Sequence, residues 1–120
     1  MKKVLVADDR VTCRELVRTV LERLGHSVRE ASDGFEALNV AREWKPDLII
    51  LDLHMPGLDG FSVVREIRRD PDLASTPVMA LTASAMQGDR DLALTAGFTG
   101  YLAKPIRLNA LRSEVARLLD

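Results

Sequence analysis

Leu48-Ile49-Ile50-Leu51-Asp52 is the stretch from which the rest of the chain can be read. Its four consecutive apolar residues leave no polar face, as expected for a strand covered on both sides in the middle of a parallel sheet. The aspartate then ends the run. Working outward, the same form recurs. Val4-Leu5-Val6-Ala7 runs into Asp8-Asp9, Val78-Met79-Ala80-Leu81 into Thr82, and Tyr101-Leu102-Ala103 into Lys104-Pro105. Val28 to Ala31 is a more polar run that suits a sheet edge.

Amphipathic stretches lie between these runs. Cys13, Leu16, Val17, Val20, Leu21 and Leu24 recur at three- and four-residue steps, one face of a helix, and Gly25 is its natural stop. Asp33 and Glu36 form a capping-box-like pair for a second helix ending near Trp44, since Pro46 restricts the residue before it. Asp59 caps a third helix carrying Phe61, Val64 and Ile67. A fourth, roughly Met86 to Ala96, has only the thin stripe Leu92, Ala93 and Ala96 before Gly97 ends it. Leu108, Leu111, Val115 and Leu118 mark the last. The basic run Arg65, Arg68, Arg69 reads as a solvated helix face, and Trp44 as the cover of a helix end.

Repeated strand-then-helix units predict an α/β fold, a parallel sheet with helices on both faces. With right-handed crossovers, five strands take the flavodoxin-like (βα)5 order 2-1-3-4-5. A chain of 120 residues suits one domain, residues 1–120. Hydrophobic residues at 47% and charged residues at 29% are those of a globular protein rather than a disordered one. Lys and Arg number 17 against 18 Asp and Glu, so no broad basic field invites nucleic acid as a direct partner. With Cys13 the lone cysteine, no intrachain disulfide can form; it reads as a core side chain in a reducing compartment. There is no signal-peptide apolar region and no run of membrane-spanning length, so the expected location is the cytoplasm, without a membrane partner.

Ligands of such sheets bind beyond the carboxyl ends of the strands, at the switch point between strands one and three. Asp8-Asp9, Asp52, Thr82 and Lys104 would all arrive at that edge. Clustered carboxylates repel unless a cation or protons neutralise them. Mg²⁺, a hard cation that takes one or two carboxylates with water and phosphate oxygens, fits best, with Mn²⁺ able to substitute. Asp52 is then a carboxylate nucleophile, Lys104 a point charge for a phosphoryl oxygen and Thr82 a hydroxyl donor.

These motifs resemble the receiver domains of two-component response regulators over nearly the whole chain. Val4 to Asp9 resembles the family's first strand and acidic pair, and Leu51 to Gly60 the phosphoacceptor strand and loop. Leu81-Thr82-Ala83 resembles the switch threonine with its small neighbour, and Tyr101 to Pro105 the switch aromatic, lysine and proline. The resemblance implies phosphorylation at Asp52 by a histidine kinase or histidine phosphotransfer protein. It implies Mg²⁺ held by Asp9 and Asp52, by Asp8 mainly through water, and by the backbone carbonyl of His54. It further implies a cis Lys104-Pro105 bond, and a switch through Thr82 and Tyr101 to a face of helix four, strand five and helix five. That face would bind a downstream protein or a second copy of the chain. The family's domains are regulatory: they catalyse only their own phosphorylation and dephosphorylation. His54 and Ser84 lack the acidic or amide side chains that some fast-hydrolysing members carry there.

Rival readings have specific weaknesses. A haloacid-dehalogenase-like phosphatase would need an Asp-x-Asp after the first strand, where this chain has adjacent aspartates. A flavin-binding module would need a Ser/Thr-rich phosphate loop and stacking aromatics, which stand at 4% here. A receiver that serves only as a scaffold would not need the complete acidic set with Thr82 and Lys104.

Overall fold

The computed structural model describes residues 1–83 and 89–120. Strands and helices alternate in chain order: β1 (Lys3–Ala7), α1 (Val11–Arg23), β2 (Ser27–Ala31), α2 (Gly34–Trp44), β3 (Leu48–Asp52), α3 (Gly60–Arg69), β4 (Val78–Thr82), α4 (Asp89–Ala96), β5 (Gly100–Ala103) and α5 (Leu108–Leu119). The strands form one parallel sheet in the order β2-β1-β3-β4-β5, as the sequence predicts.

Side chains alternate across a strand, and here the alternation sorts the core into two clusters. Val4, Val6, Leu48, Ile50, Met79 and Leu81 face α1 and α5, where they meet Val17, Val20, Leu21, Leu111 and Val115. Leu5, Ala7, Ile49, Leu51, Val78 and Ala80 face α2, α3 and α4, where they meet Leu38, Ala41, Val63, Val64, Ile67 and Ala93. Every residue of β3 and β4 is buried, which is why these two strands carry no polar face. Burying one such aliphatic side chain contributes about 1.5–3 kcal/mol.

Local chemistry sets the helix ends. Asp33 accepts from the Glu36 amide at 2.8 Å, while the Glu36 carboxylate reaches back past the cap to the Ser32 amide at 2.6 Å, one residue beyond the partner of a standard capping box. Asp59 caps α3 through the Ser62 amide at 2.8 Å. Gly25, at φ +92°, follows the end of α1 in the left-handed region. Among the described residues, no helix is long and apolar enough to cross a membrane.

Two expectations change, and one lies outside the described residues. α4 is described only from Asp89, so its expected start at Met86 lies outside the described residues, as does Ser84. Leu92 does not join the stripe of α4: it is 62% exposed, and Ala93 alone is fully buried there. Arg68 leaves the solvated face expected of its basic run and is half-buried, because carbonyls of two neighbouring loops attract its guanidinium. Trp44 is half-buried on the core, with Lys3 Nζ 5.6 Å and Arg29 Cζ 5.0 Å from its ring centroid.

Candidate functional site

Strand register brings the charged residues to one level. Ala7 pairs with Leu51, so Asp8 and Asp52 end neighbouring strands side by side. Asp52 pairs with Leu81 and Thr82 with Ala103, so Thr82 and Lys104 follow at the same edge. The pleat then divides them. Asp52 continues the Leu48 and Ile50 parity toward α1 and α5, whereas Thr82 continues that of Val78 and Ala80 toward α3 and α4. Tyr101 is half-buried against the same α2-α3-α4 cluster, and its amide lies 3.3 Å from the Glu114 carboxylate of α5.

Asp8, Asp52 and Thr82 are the buried polar and charged residues of the described chain. Lys104 Nζ lies 2.8 Å from Asp8 Oδ2 and 3.3 Å from Asp52 Oδ2. The Lys104–Pro105 bond is cis, as the resemblance implies. Asp8 Oδ1 accepts from the Arg10 amide at 2.9 Å in the turn that starts α1. Asp52 Oδ1 accepts from the His54 amide at 3.1 Å. Asp9 is exposed at the rim, and oxygens of Asp8, Asp9 and Asp52 all lie within 4.8 Å of one another. Behind them, a Cβ on Gly60 would stand 2.6 Å from the Asp52 carbonyl oxygen, so only glycine lets α3 begin this close to the end of β3.

The electrostatics are asymmetric. Burial weighs most on Asp8 and opposes its charge, but the Cys13 thiol, Lys104 and the Arg10 amide together hold the carboxyl below its ordinary range. For Asp52 burial prevails: with the charge of Asp8 it pushes the carboxyl up, against the His54 amide and Lys104. Burial depresses Lys104, yet Asp8 and Asp52 outweigh it and leave the ammonium firmly protonated. Cys13 is pushed up to about 12 by burial and by Asp8, so it is a neutral thiol. Its place on the apolar stripe of α1 was legible; its contact with Asp8 was not.

The donor set suits a hard divalent cation. Three carboxylates converge, and buried Asp8 Oδ2 makes no well-directed hydrogen bond even with an ammonium 2.8 Å away. All the ligands on offer are oxygens, the preference of Mg²⁺ rather than of zinc.

The chain is similar to known proteins in sequence and in fold. The chain is 40% identical over 118 residues to a probable transcriptional regulator, ycf27, of Guillardia theta, a match covering 98% of this chain and 45% of that protein. It is 36% identical over 105 residues to the polar-differentiation response regulator DivK of Brucella anthropi, covering 88% of this chain and 85% of that one. The chain thus spans about half the length of the ycf27-type relatives it matches. Among solved structures, chemotaxis protein CheY4 of Vibrio cholerae superposes with a TM-score of 0.92 at 34% identity, covering 99% of both chains. The receiver domain of sensor histidine kinase PA1611 from Pseudomonas aeruginosa, which holds a magnesium ion in its active-site cleft, does so with a TM-score of 0.90 at 36% identity, covering 98% of this chain and 97% of that one. The family model of the response regulator receiver domain matches residues 4–116, and the chain belongs to that family.

Proposed function

We propose that residues 1–120 form one receiver domain in which Asp52 accepts a phosphoryl group from a phosphohistidine of a histidine kinase or phosphotransfer protein. The observation that carries this reading is the convergence of Asp8, Asp9 and Asp52 oxygens within 4.8 Å, with Lys104 Nζ in contact with two of the three.

Asp8, Asp9, Asp52 and the backbone carbonyl of His54 would hold the Mg²⁺, and Mn²⁺ would serve in its place. When bound, the ion neutralises carboxylate repulsion and the charge on the transferred group. The remaining roles belong to the chain. An oxygen of Asp52 attacks phosphorus in line; the new P–O bond replaces the P–N bond, and the electron pair returns to the imidazole nitrogen, which takes up a proton. The His54 amide orients the nucleophile through its 3.1 Å bond to Oδ1. Lys104 stands where its ammonium can meet a phosphoryl oxygen beside Asp52. Hydrolysis of the acyl phosphate resets the domain, which turns over no other substrate.

Thr82 and Tyr101 carry the signal outward. They share the sheet face opposite to Asp52, so a hydroxyl drawn toward new phosphoryl oxygens links the site to the α4-β5-α5 surface. A downstream protein or a second copy of the chain binds there. Such a switch is a two-state packing element biased by a local charge event.

Intact-mass measurement after treatment with acetyl phosphate tests the reading. One phosphoryl group should appear with Mg²⁺, none without it, and none in Asp52→Asn. Equal labelling of Asp52→Asn would overturn it.

A further inference from the structure

Arg68 sits in the last turn of α3 and reaches three backbone carbonyls. Its Nε and Nη2 both donate to the Gly97 oxygen, at 3.0 and 2.8 Å, and its Nη1 donates to the Ala74 and Thr76 oxygens at 3.1 and 2.7 Å. Among the described residues no carboxylate pairs with it, and burial alone lowers its pKa. A guanidinium withdrawn from water and held only by main-chain oxygens ties chain segments together rather than balancing a charge.

Those segments meet at the end of the sheet away from Asp52. Gly97 closes α4 in the left-handed region at φ +117°. Its amide bonds the Leu94 oxygen at 3.2 Å and the Phe98 amide bonds the Ala93 oxygen at 3.1 Å, the paired bonds of a Schellman cap. The Gly97 carbonyl, left over by that cap, takes both Arg68 donors. A cation at the C-terminal ends of both α3 and α4 also meets the negative poles of two helix dipoles. The next residues are fastened too. Buried Phe98 meets Phe61 of α3 edge to face, with centroids 6.0 Å apart. Thr99 Oγ1 lies 2.6 Å from the Val78 amide and 3.0 Å from its carbonyl.

We infer that Arg68 is the fixed pivot of the switch: α4 moves by swinging about its clamped C-terminal end at Gly97, not by sliding as a whole. This rests on the proposed phosphorylation of Asp52 and adds a positioning residue to it. Displacement that enters beyond Thr82 then grows toward the start of α4 and vanishes at Gly97. The clamp also holds the N-terminal ends of β4 and β5 fast while their C-terminal ends respond, so a change around Thr82 turns α4 instead of shearing the two strands. Without the clamp the same input would be spent on loosening the α4–β5 turn.

Amide exchange with and without beryllofluoride and Mg²⁺, on wild type, Arg68→Met and Arg68→Lys, tests this. In wild type, protection should change at 89–92 and stay within about twofold at 96–99, as a clamped end with low local opening requires. In Arg68→Met the change should spread through 96–99, with Asp52 still labelled to the wild-type extent in intact mass. Arg68→Lys keeps the charge but not the fork, and should fall between them. A uniform change along 89–99 in wild type overturns the pivot, as does an Arg68→Met protein that folds, is labelled and responds like wild type. If Arg68→Met does not fold, the wild-type gradient and Arg68→Lys decide. If wild type is not labelled, the reading of Asp52 fails first and the pivot falls with it.

Discussion

Lys104 and Arg68 are both half-buried cations, at opposite edges of the same sheet, and they are held by different chemistry. Lys104 stands between two carboxylates at the C-terminal edge. Arg68 has only carbonyl oxygens, from the turns that lead into β4 and β5. A divalent cation can stand in for an ammonium among carboxylates, because charge is what the cluster lacks. Nothing can stand in for a five-donor fork among main-chain carbonyls, because shape is what that cluster needs. One edge of the molecule is therefore exchangeable and reactive, and the other is fixed.

The largest expected effect isolates the reactive edge. Asp52→Asn should lower phosphoryl labelling by more than about 100-fold, the scale lost with an attacking group, while leaving urea unfolding close to wild type; labelling within tenfold would move the nucleophile elsewhere. Next comes the fixed edge. Arg68→Met should cost about 2–4 kcal/mol in urea unfolding, since it strips charged donors from partly buried carbonyls, and added Mg²⁺ should restore none of the loss.

Lys104→Met draws the contrast. Without metal it should cost about 1–3 kcal/mol, because two buried carboxylates lose their counter-charge; Mg²⁺ should return most of that by binding the folded state. Recovery of Arg68→Met by Mg²⁺, or none for Lys104→Met, would erase the distinction between the edges. Gly97→Ala should cost about 1 kcal/mol or somewhat more, read from the unfolding midpoint, since alanine resists the left-handed backbone, and the loss should shrink in the Arg68→Met background if the cap and the clamp act together.

The smallest effect lies away from both edges, at Glu30. Arg18, 2.7 Å away, and then Arg14 hold its carboxyl below the ordinary 4.5, against burial. A carboxyl depressed in the folded state contributes stability above its unfolded value, and that contribution is lost as pH falls through the lower folded value. Thermal melts between pH 5 and pH 3 should thus fall less steeply for Glu30→Gln than for wild type. An unchanged slope would show the Arg14-Glu30-Arg18 group to be too solvated to matter.

Much of the site was legible because it stands where strands end. Asp8, Asp52 and Lys104 each follow an apolar run, so the sheet order alone put them together, and the structure places them in contact. The helix caps were legible as well, because Asp33 and Asp59 act on amides three residues away. Arg68 was not. Its acceptors are carbonyls, which every residue has, and they come from loops whose sequence gives no sign of their approach. Its setting, Arg65-Glu66-Ile67-Arg68-Arg69, looks like any charged helix face. Leu92 failed for a related reason. Over the described residues of α4, two small side chains, Ala93 and Ala96, seat the element, and the larger Leu92 need not join them. The Cys13–Asp8 contact depends on how α1 leaves its first turn, which periodicity does not specify.

The strand order has a consequence for the making of the chain. β1 lies between β2 and β3, so Val4 waits for Leu48 before its second edge is paired. A protein emerges from the ribosome N-terminus first. Asp8 and Asp9 appear early, Asp52 follows, and Lys104 comes a further 52 residues later. A nascent chain that has grown only through β3 owns every carboxylate of the site and not yet the cation that balances them.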